Sequence, residues 1–273
     1  MQRKILTGVF RASSSANNCS GVYKKPILII RAMKKSGFIF GVFVILTLGM
    51  SCSFTTPSTG GPVVKETRDV TGYTEVALAV PADVYVEQGS AFSFTIEGPA
   101  DALKEIETTV DGSTLKIKWK TKWFNWNSNE NLKIYITAPT YTGFSIAGSG
   151  GFYAKLGLKV ENLELAIAGS GDIVISSVEA TNLKASIAGS GDVKLNAGKT
   201  NALSGSISGS GSISAAGVEA VDAKVRIAGS GDCSVWATGA LDAGISGSGD
   251  IKYKGSPKLS AKVSGSGEIE PVK

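Results

Sequence analysis

The side chains of this chain that could do chemistry fall into three groups, and no histidine supports any of them. The first is a row of acids: Asp172, Asp192, Asp232, Asp250 and Glu268 each directly follow a Gly-Ser-Gly triplet, while Gly151 and Ser212 hold that place in two further copies. Recurring carboxylates beside glycine are what calcium-binding repeat coils use. Those coils run at nine-residue multiples with acid and glycine interleaved, whereas only two of the spacings here equal 18. The preferred reading is therefore a carboxylate accepting backbone N–H groups at a turn, with no metal and no cofactor. Without histidine, Ser-His and Cys-His nucleophiles and imidazole zinc ligands are unavailable, and catalytic residues are not expected.

The second group is the run Lys-Ile-Lys-Trp-Lys-Thr-Lys-Trp-Phe-Asn-Trp at 116–126. As a strand it puts Lys116, Lys118, Lys120 and Lys122 on one face, Ile117, Trp119 and Trp123 on the other, and Phe124 and Trp126 at the tip. Tryptophan beside lysine stacks on sugar rings or rests on an anionic surface. Lys118, Lys120, Lys122, Trp123, Phe124 and Trp126 are thus the candidate binding residues. The competing reading packs the aromatics over the end of the fold.

The third group is the cysteines. Cys19, Cys52 and Cys233 lie far apart with no CxxC spacing, so no disulfide, zinc ribbon or dithiol site is expected. Cys52 has its own context. From Met33 the chain shows Lys34-Lys35 and then an apolar run from Phe38 to Leu48, which suits a signal peptide and is too short for a membrane-spanning helix. The run ends in Gly49-Met50-Ser51-Cys52, which resembles a bacterial lipobox and makes Cys52 the lipidation site. Residues 33–51 then read as the signal peptide, 52–62 as a flexible tether rich in Ser, Thr, Pro and Gly, and 1–32 as an over-extended start. No acid follows Cys52 directly, so an outer-membrane lipoprotein is expected, on either leaflet, with the membrane as its first partner.

Charge agrees with export and argues against nucleic acid. The net charge of +5 arises from eight basic residues and no acid within residues 1–51, and the rest is mildly acidic, with 20 basic and 23 acidic residues.

These groups are positioned by a repeat. Gly-Ser-Gly recurs at 148–150, 169–171, 189–191, 209–211, 229–231, 247–249 and 265–267, at spacings of 18 to 21 residues. Leu183, Ala185 and Ile187 alternate with polar or small residues before one corner, and Val193 and Leu195 do so after it. Two places before each corner stand Ile146, Ile167, Ile187, Ile207, Ile227, Ile245 and Val263. Two places after it come Ile173, Val193, Ile213, Cys233, Ile251 and Ile269. Like stacked on like, about 4.8 Å apart, these rows form two apolar ladders, with Cys233 a buried core thiol. The expected fold is all-β: a parallel, right-handed β-helix or solenoid over residues 143–273, with glycine giving the corners positive φ and close backbone approach. Residues 63–142 lack the corner but alternate as strands, with a hairpin turn at Asp111-Gly112 and one helical turn around Leu103 and Ile106. They are expected to pair with the first coils and cap one end.

The repeated IAGSGDI, IAGSGDV, ISGSGSI, IAGSGDC and ISGSGDI, with VSGSGEI and the entry segment from RDVTGYTEVALAV to DGSTLKIKW, resembles the putative autotransporter adhesin, head GIN domain family over about residues 68–270. The resemblance implies a β-helix-type fold on exported, often lipid-anchored bacterial proteins, and supplies no catalytic residues. The leading expectation is a cell-envelope binding module, not an enzyme, that presents a rigid surface to a glycan or protein. The alternatives are a β-helix carbohydrate-active enzyme with paired carboxylates, or a structural or regulatory envelope protein.

Overall fold

The computed structural model describes residues 62–121 and 132–272. In chain order the elements are β1 (Val63–Thr67), β2 (Glu75–Ala79), β3 (Ala82–Gln88), β4 (Ser93–Pro99), α1 (Ala100–Glu105), β5 (Ile106–Asp111), β6 (Thr114–Trp119) and β7 (Leu132–Ala138). Then come β8 (Gly143–Gly148), β9 (Gly151–Lys159), β10 (Asn162–Gly169), β11 (Asp172–Gly189), β12 (Asp192–Leu195), β13 (Gly198–Gly209) and β14 (Ser212–Gly229). The last are β15 (Asp232–Gly247), β16 (Ile251–Lys254), β17 (Lys258–Gly265) and β18 (Ile269–Pro271).

From β8 onward the pairing is parallel and in the register that the repeat demands. Ile146 stands beside Ile167, Ile167 beside Ile187, Ile187 beside Ile207, Ile207 beside Ile227, and Ile227 beside Ile245. After the corner Phe152, Ile173, Val193, Ile213, Cys233 and Ile251 form the second ladder. All of these are buried. Filling one such site with a branched aliphatic side chain is worth about 1.5–3 kcal/mol, and the ladders repeat that gain in every coil. A third parallel segment, where Val178, Gly198 and Val218 align, closes the coil.

The corner shows why two glycines are needed. Gly189 has φ +135°, and a Cβ there would lie 2.2 Å from the Gly169 carbonyl oxygen in the coil below. Gly191 lacks the positive φ, but its Cβ would lie 2.2 Å from the Gly171 oxygen. The first glycine supplies conformation, and both supply clearance. The tight approach lets Ser190 N–H donate to the Gly169 oxygen at 2.9 Å, and Ser210 N–H repeats this on Gly189.

The N-terminal segment is more than a cap. β2 pairs with both β6 and β8, and β3 with both β7 and β9, all in parallel. The first coil in the chain is thus the second in the stack, lying between β6–β7 and β8–β9. Only the outermost layers cap the end. There β5 runs antiparallel on β6, β4 antiparallel on β7, and β1 antiparallel on β4. The Asp111-Gly112 turn forms as expected, with Val110 opposite Leu115 and Gly112 at φ +61°. The helical turn is α1, whose Ala102 and Leu103 are buried, and Ile106 already begins β5. Two buried tyrosines bind this end to its loops: the Tyr73 hydroxyl donates to the Thr137 carbonyl at 3.1 Å, and the Tyr141 hydroxyl to the Glu87 carbonyl at 3.1 Å. Burial pushes the Tyr73 phenol up to about 12 and raises that of Tyr141 as well.

Candidate functional site

The order of the N-terminal stack builds a surface that chain order conceals. Tyr135 on β7, Tyr85 on β3 and Tyr153 on β9 occupy the same outward position in successive layers. Their rings form a ladder, with centroids 5.2 Å apart and planes 18° apart for Tyr85 and Tyr135, and 5.8 Å and 32° for Tyr85 and Tyr153. The Lys65 ammonium stands 5.3 Å over the Tyr135 ring and that of Lys155 stands 5.2 Å over Tyr85. With faces turned to one another and to lysines, the ring edges are what the ladder offers to a partner.

Carboxylates flank the ladder. The gap that Gly151 leaves in the acid row is filled by Tyr153, because a Cβ on Gly151 would lie 2.7 Å from that ring. Burial, followed by the nearby Asp83 and Asp172 charges, raises the pKa of the Tyr153 phenol. Phenol edges, two carboxylates and two ammonium groups thus lie together on one outer face. Such a set exchanges hydrogen bonds with a hydroxyl-rich ligand.

Along the rest of the row the acids hold the coils together. Asp192 Oδ1 accepts from Ser212 N–H at 3.1 Å and from the Ser212 hydroxyl at 2.6 Å. Asp232 Oδ1 accepts from Asp250 N–H at 3.0 Å, and Asp250 Oδ1 from Glu268 N–H at 2.9 Å. Each carboxylate therefore serves the next coil rather than its own turn. Among the described residues no three acids or cysteines come together in a metal-binding group.

Of the candidate binding residues, Lys118 and Lys120 fall within the described part. Lys118 projects outward from β6, with its ammonium 3.5 Å from Glu107. Lys120 lies just past the strand: its N–H donates to Glu105 O at 2.8 Å and its ammonium to Lys104 O. The expected alternation holds, since Leu115 and Ile117 are buried and Trp119 packs partly against the core. Lys122, Trp123, Phe124 and Trp126 lie outside the described residues, as do Cys52 and the signal segment.

A second outer surface runs before the corners. Alanines and serines at 77, 145, 166, 186 and 206, and at 79, 147, 168, 188 and 208, floor an open, largely apolar trough of about 660 Å³. Lys116 and Lys118 stand at one end. The trough runs on towards Arg226 and Lys262 in an adjoining depression of about 670 Å³. Inside the wall, Cys233 is fully enclosed, and burial, then the neighbouring Asp232 charge, pushes its thiol up to about 12. It is a neutral core group, as expected.

The sequence pattern of the family described as putative auto-transporter adhesin, head GIN domain, matches residues 72–257. The crystal structure of a putative adhesin from Bacteroides fragilis is similar, with 29% identity, a TM-score of 0.74, and coverage of 77% of this chain and 97% of that one. A putative lipid binding protein from Parabacteroides distasonis shares 30% identity at a TM-score of 0.62, covering 78% of this chain and 98% of its own. A putative adhesin from Parabacteroides merdae, at 22% identity and a TM-score of 0.63, covers 78% and 97% and shares the fold. No curated protein matches the chain at a significant level.

Proposed function

The chain belongs to the putative auto-transporter adhesin, head GIN domain family, and on that basis we propose that it is a lipid-anchored cell-envelope module that adheres to glycans without transforming them. The observation that carries the reading is the tyrosine ladder with its carboxylates and lysines, held on a rigid stack of strands. Saccharides offer many hydroxyls and few charges, so phenol edges and carboxylates suit them, and a solenoid holds those groups at fixed spacing. Lys118 stands on the β6 face that borders the alanine-floored trough, not on the face of the ladder.

Catalysis has little support. Glycoside hydrolysis needs two acids flanking one bond, while Asp192, Asp232 and Asp250 already hold backbone N–H groups of the coil above. Anchoring through Cys52, in the outer membrane, is supported by the charged n-region, the short apolar run and the small residue before the cysteine. Palmitate labelling that vanishes in Cys52→Ser is the expected result, and labelling unchanged in that variant contradicts it.

Adherence tests the main reading. Cells displaying the wild-type chain should be retained on a polysaccharide-coated surface, and cells displaying the Tyr85→Ala, Tyr135→Ala double variant at equal density should wash away. Equal retention counts against the ladder.

A second reading rests on the alanine-floored trough and on the Parabacteroides distasonis relative, described as lipid binding. In it an acyl chain lies along the floor with its acidic head at Lys116 and Lys118. Quenching of a fluorescent fatty acid that is abolished by Ala168→Asp and untouched by the tyrosine variants would favour this reading over the first.

A further inference from the structure

The two ends of the stack are finished differently. At the N-terminal end, among the described residues, β6 carries one further strand, β5, while β7 carries two, β4 and β1, so the face is stepped. Arg68 plugs part of the lower edge: its guanidinium donates to the Ile106 and Leu103 carbonyls, each at 2.9 Å, and to the Thr108 hydroxyl at 2.6 Å.

At the other end, among the described residues, β17 pairs only with β15 and β18 only with β16. In earlier coils the first corner glycine's carbonyl accepts from the next coil's serine, as Gly229 O does from Ser248 and Gly247 O from Ser266, both at 2.9 Å. Gly265 holds that place in the last coil. Its carbonyl, and the peptide groups of the alternate residues Val263, Ala261 and Leu259, therefore face the open edge. The apolar side chains there are uncovered as well. Leu259 and Val263 are 40% and 43% exposed, against 1% and 3% for Leu241 and Ile245 beside them in the preceding coil. An exposed edge with apolar side chains is a template for another strand.

We infer that this edge is a self-association surface and that its occupant is the same edge of a second copy, in a closed two-fold pair. The strand reads Lys-Leu-Ser-Ala-Lys-Val-Ser-Gly from 258 to 265. Antiparallel pairing centred on Ala261 sets each Leu259 against the partner's Val263, each Lys258 against the partner's Ser264, and each Lys262 against the partner's Ser260. Sliding by one pair in one direction brings Lys258 opposite Lys262, and in the other brings Lys262 opposite its own copy. Like charges directly opposite are destabilising, and a shift of a single residue turns apolar side chains to solvent. Of these registers, the one centred on Ala261 joins both apolar side chains without facing lysine to lysine. Head-to-tail stacking, which would grow a filament, meets the raised β1 and the Arg68 plug, so the two-fold pair is the closed solution.

The test uses the full chain with Cys19→Ser and Cys52→Ser, which leaves only the buried Cys233. Sedimentation velocity should give twice the chain mass, and adding Leu259→Glu with Val263→Glu should give a monomer that keeps its β-sheet circular dichroism. A second variant guards against misfolding. Ala261→Cys should cross-link to itself on mild oxidation, because opposed residues in the hydrogen-bonded pairs of an antiparallel ladder lie about 5.5 Å apart, within disulfide reach. Ser204→Cys, on the outer face midway along the stack, should not. A wild-type monomer at the highest soluble concentration, a dimer that survives the glutamates, or no Ala261→Cys cross-link would each overturn the proposal.

Discussion

Replacing Gly189 and Gly205 by alanine, one at a time, should move stability in opposite directions although both add a single methyl group. Gly189 sits at φ +135°, and its new Cβ would meet the Gly169 oxygen at 2.2 Å. Holding a side chain in that backbone region costs about 1–3 kcal/mol, and forcing a carbon into packed backbone costs about as much again. The loss should be about 2–6 kcal/mol, a large share of a typical total of 5–15 kcal/mol. Gly205 faces the interior between Ala185 and Val225. Its Cβ would meet Ile213 Cδ1 at 3.5 Å, Cys233 Sγ at 3.8 Å and Val225 Cγ2 at 3.9 Å, all ordinary contacts. Burying a methyl there gains about 0.8 kcal/mol, and a less flexible unfolded chain adds about 0.4–1 kcal/mol. Gly205→Ala should therefore stabilise by about 1–2 kcal/mol. Urea unfolding followed by circular dichroism and by tryptophan fluorescence measures both, with two probes because coils of a solenoid can open separately. Gly189→Ala within about 0.5 kcal/mol of wild type, or Gly205→Ala as damaging as Gly189→Ala, would refute the account of the corner.

The acid row and the core thiol give three more expectations. Asp192→Ala removes the acceptor of two hydrogen bonds from Ser212 and should lower stability by about 1 kcal/mol in the same urea assay. Adding calcium or a chelator should leave the unfolding midpoint unmoved, and a rise with calcium would restore the metal reading of the row. Cys233, whose thiol is pushed up from 9.0 to about 12, keeps its proton in the fold while the unfolded chain loses it. Its contribution is fully present below pH 9 and is lost as pH rises towards 12, so the urea midpoint should fall over that window. Cys233→Val, which copies Val193 on the same ladder, should make that fall shallower, with the Tyr73 phenol accounting for part of what remains. An unchanged slope would contradict the burial.

The repeating half of the molecule was legible because like stacks on like. Ile167, Ile187 and Ile207 share a spacing, and a shared spacing in a parallel stack is a contact. The same logic places Cys233 between Ile213 and Ile251. It fails at Val263, which belongs to the ladder by position yet is 43% exposed because, among the described residues, no further coil covers it. It could not give the place of β2 and β3, since alternation tells which face a residue occupies and not which strand lies beside it. For that reason the tyrosine ladder stayed hidden, although Tyr85, Tyr135 and Tyr153 each stand at an outward position of a readable strand. The exposed face of Lys118 could be read from alternation, but its pairing with Glu107 needed the hairpin register. Thr200 is a further surprise, buried between Ala180 and Ala220 because its hydroxyl lies 3.1 Å from the Thr181 and Ala202 carbonyls.

The most direct measurement is a glycan array probed with the purified chain, its Tyr85→Ala, Tyr135→Ala variant, and a Ser214→Ala control on the same outer face further along the stack. The account predicts that wild type and control bind the same glycans, that the double variant loses them by at least about tenfold, or about 1.4 kcal/mol, and that the bound polysaccharide is recovered intact. Binding that survives the loss of both tyrosines, or a shortened polysaccharide, would contradict it.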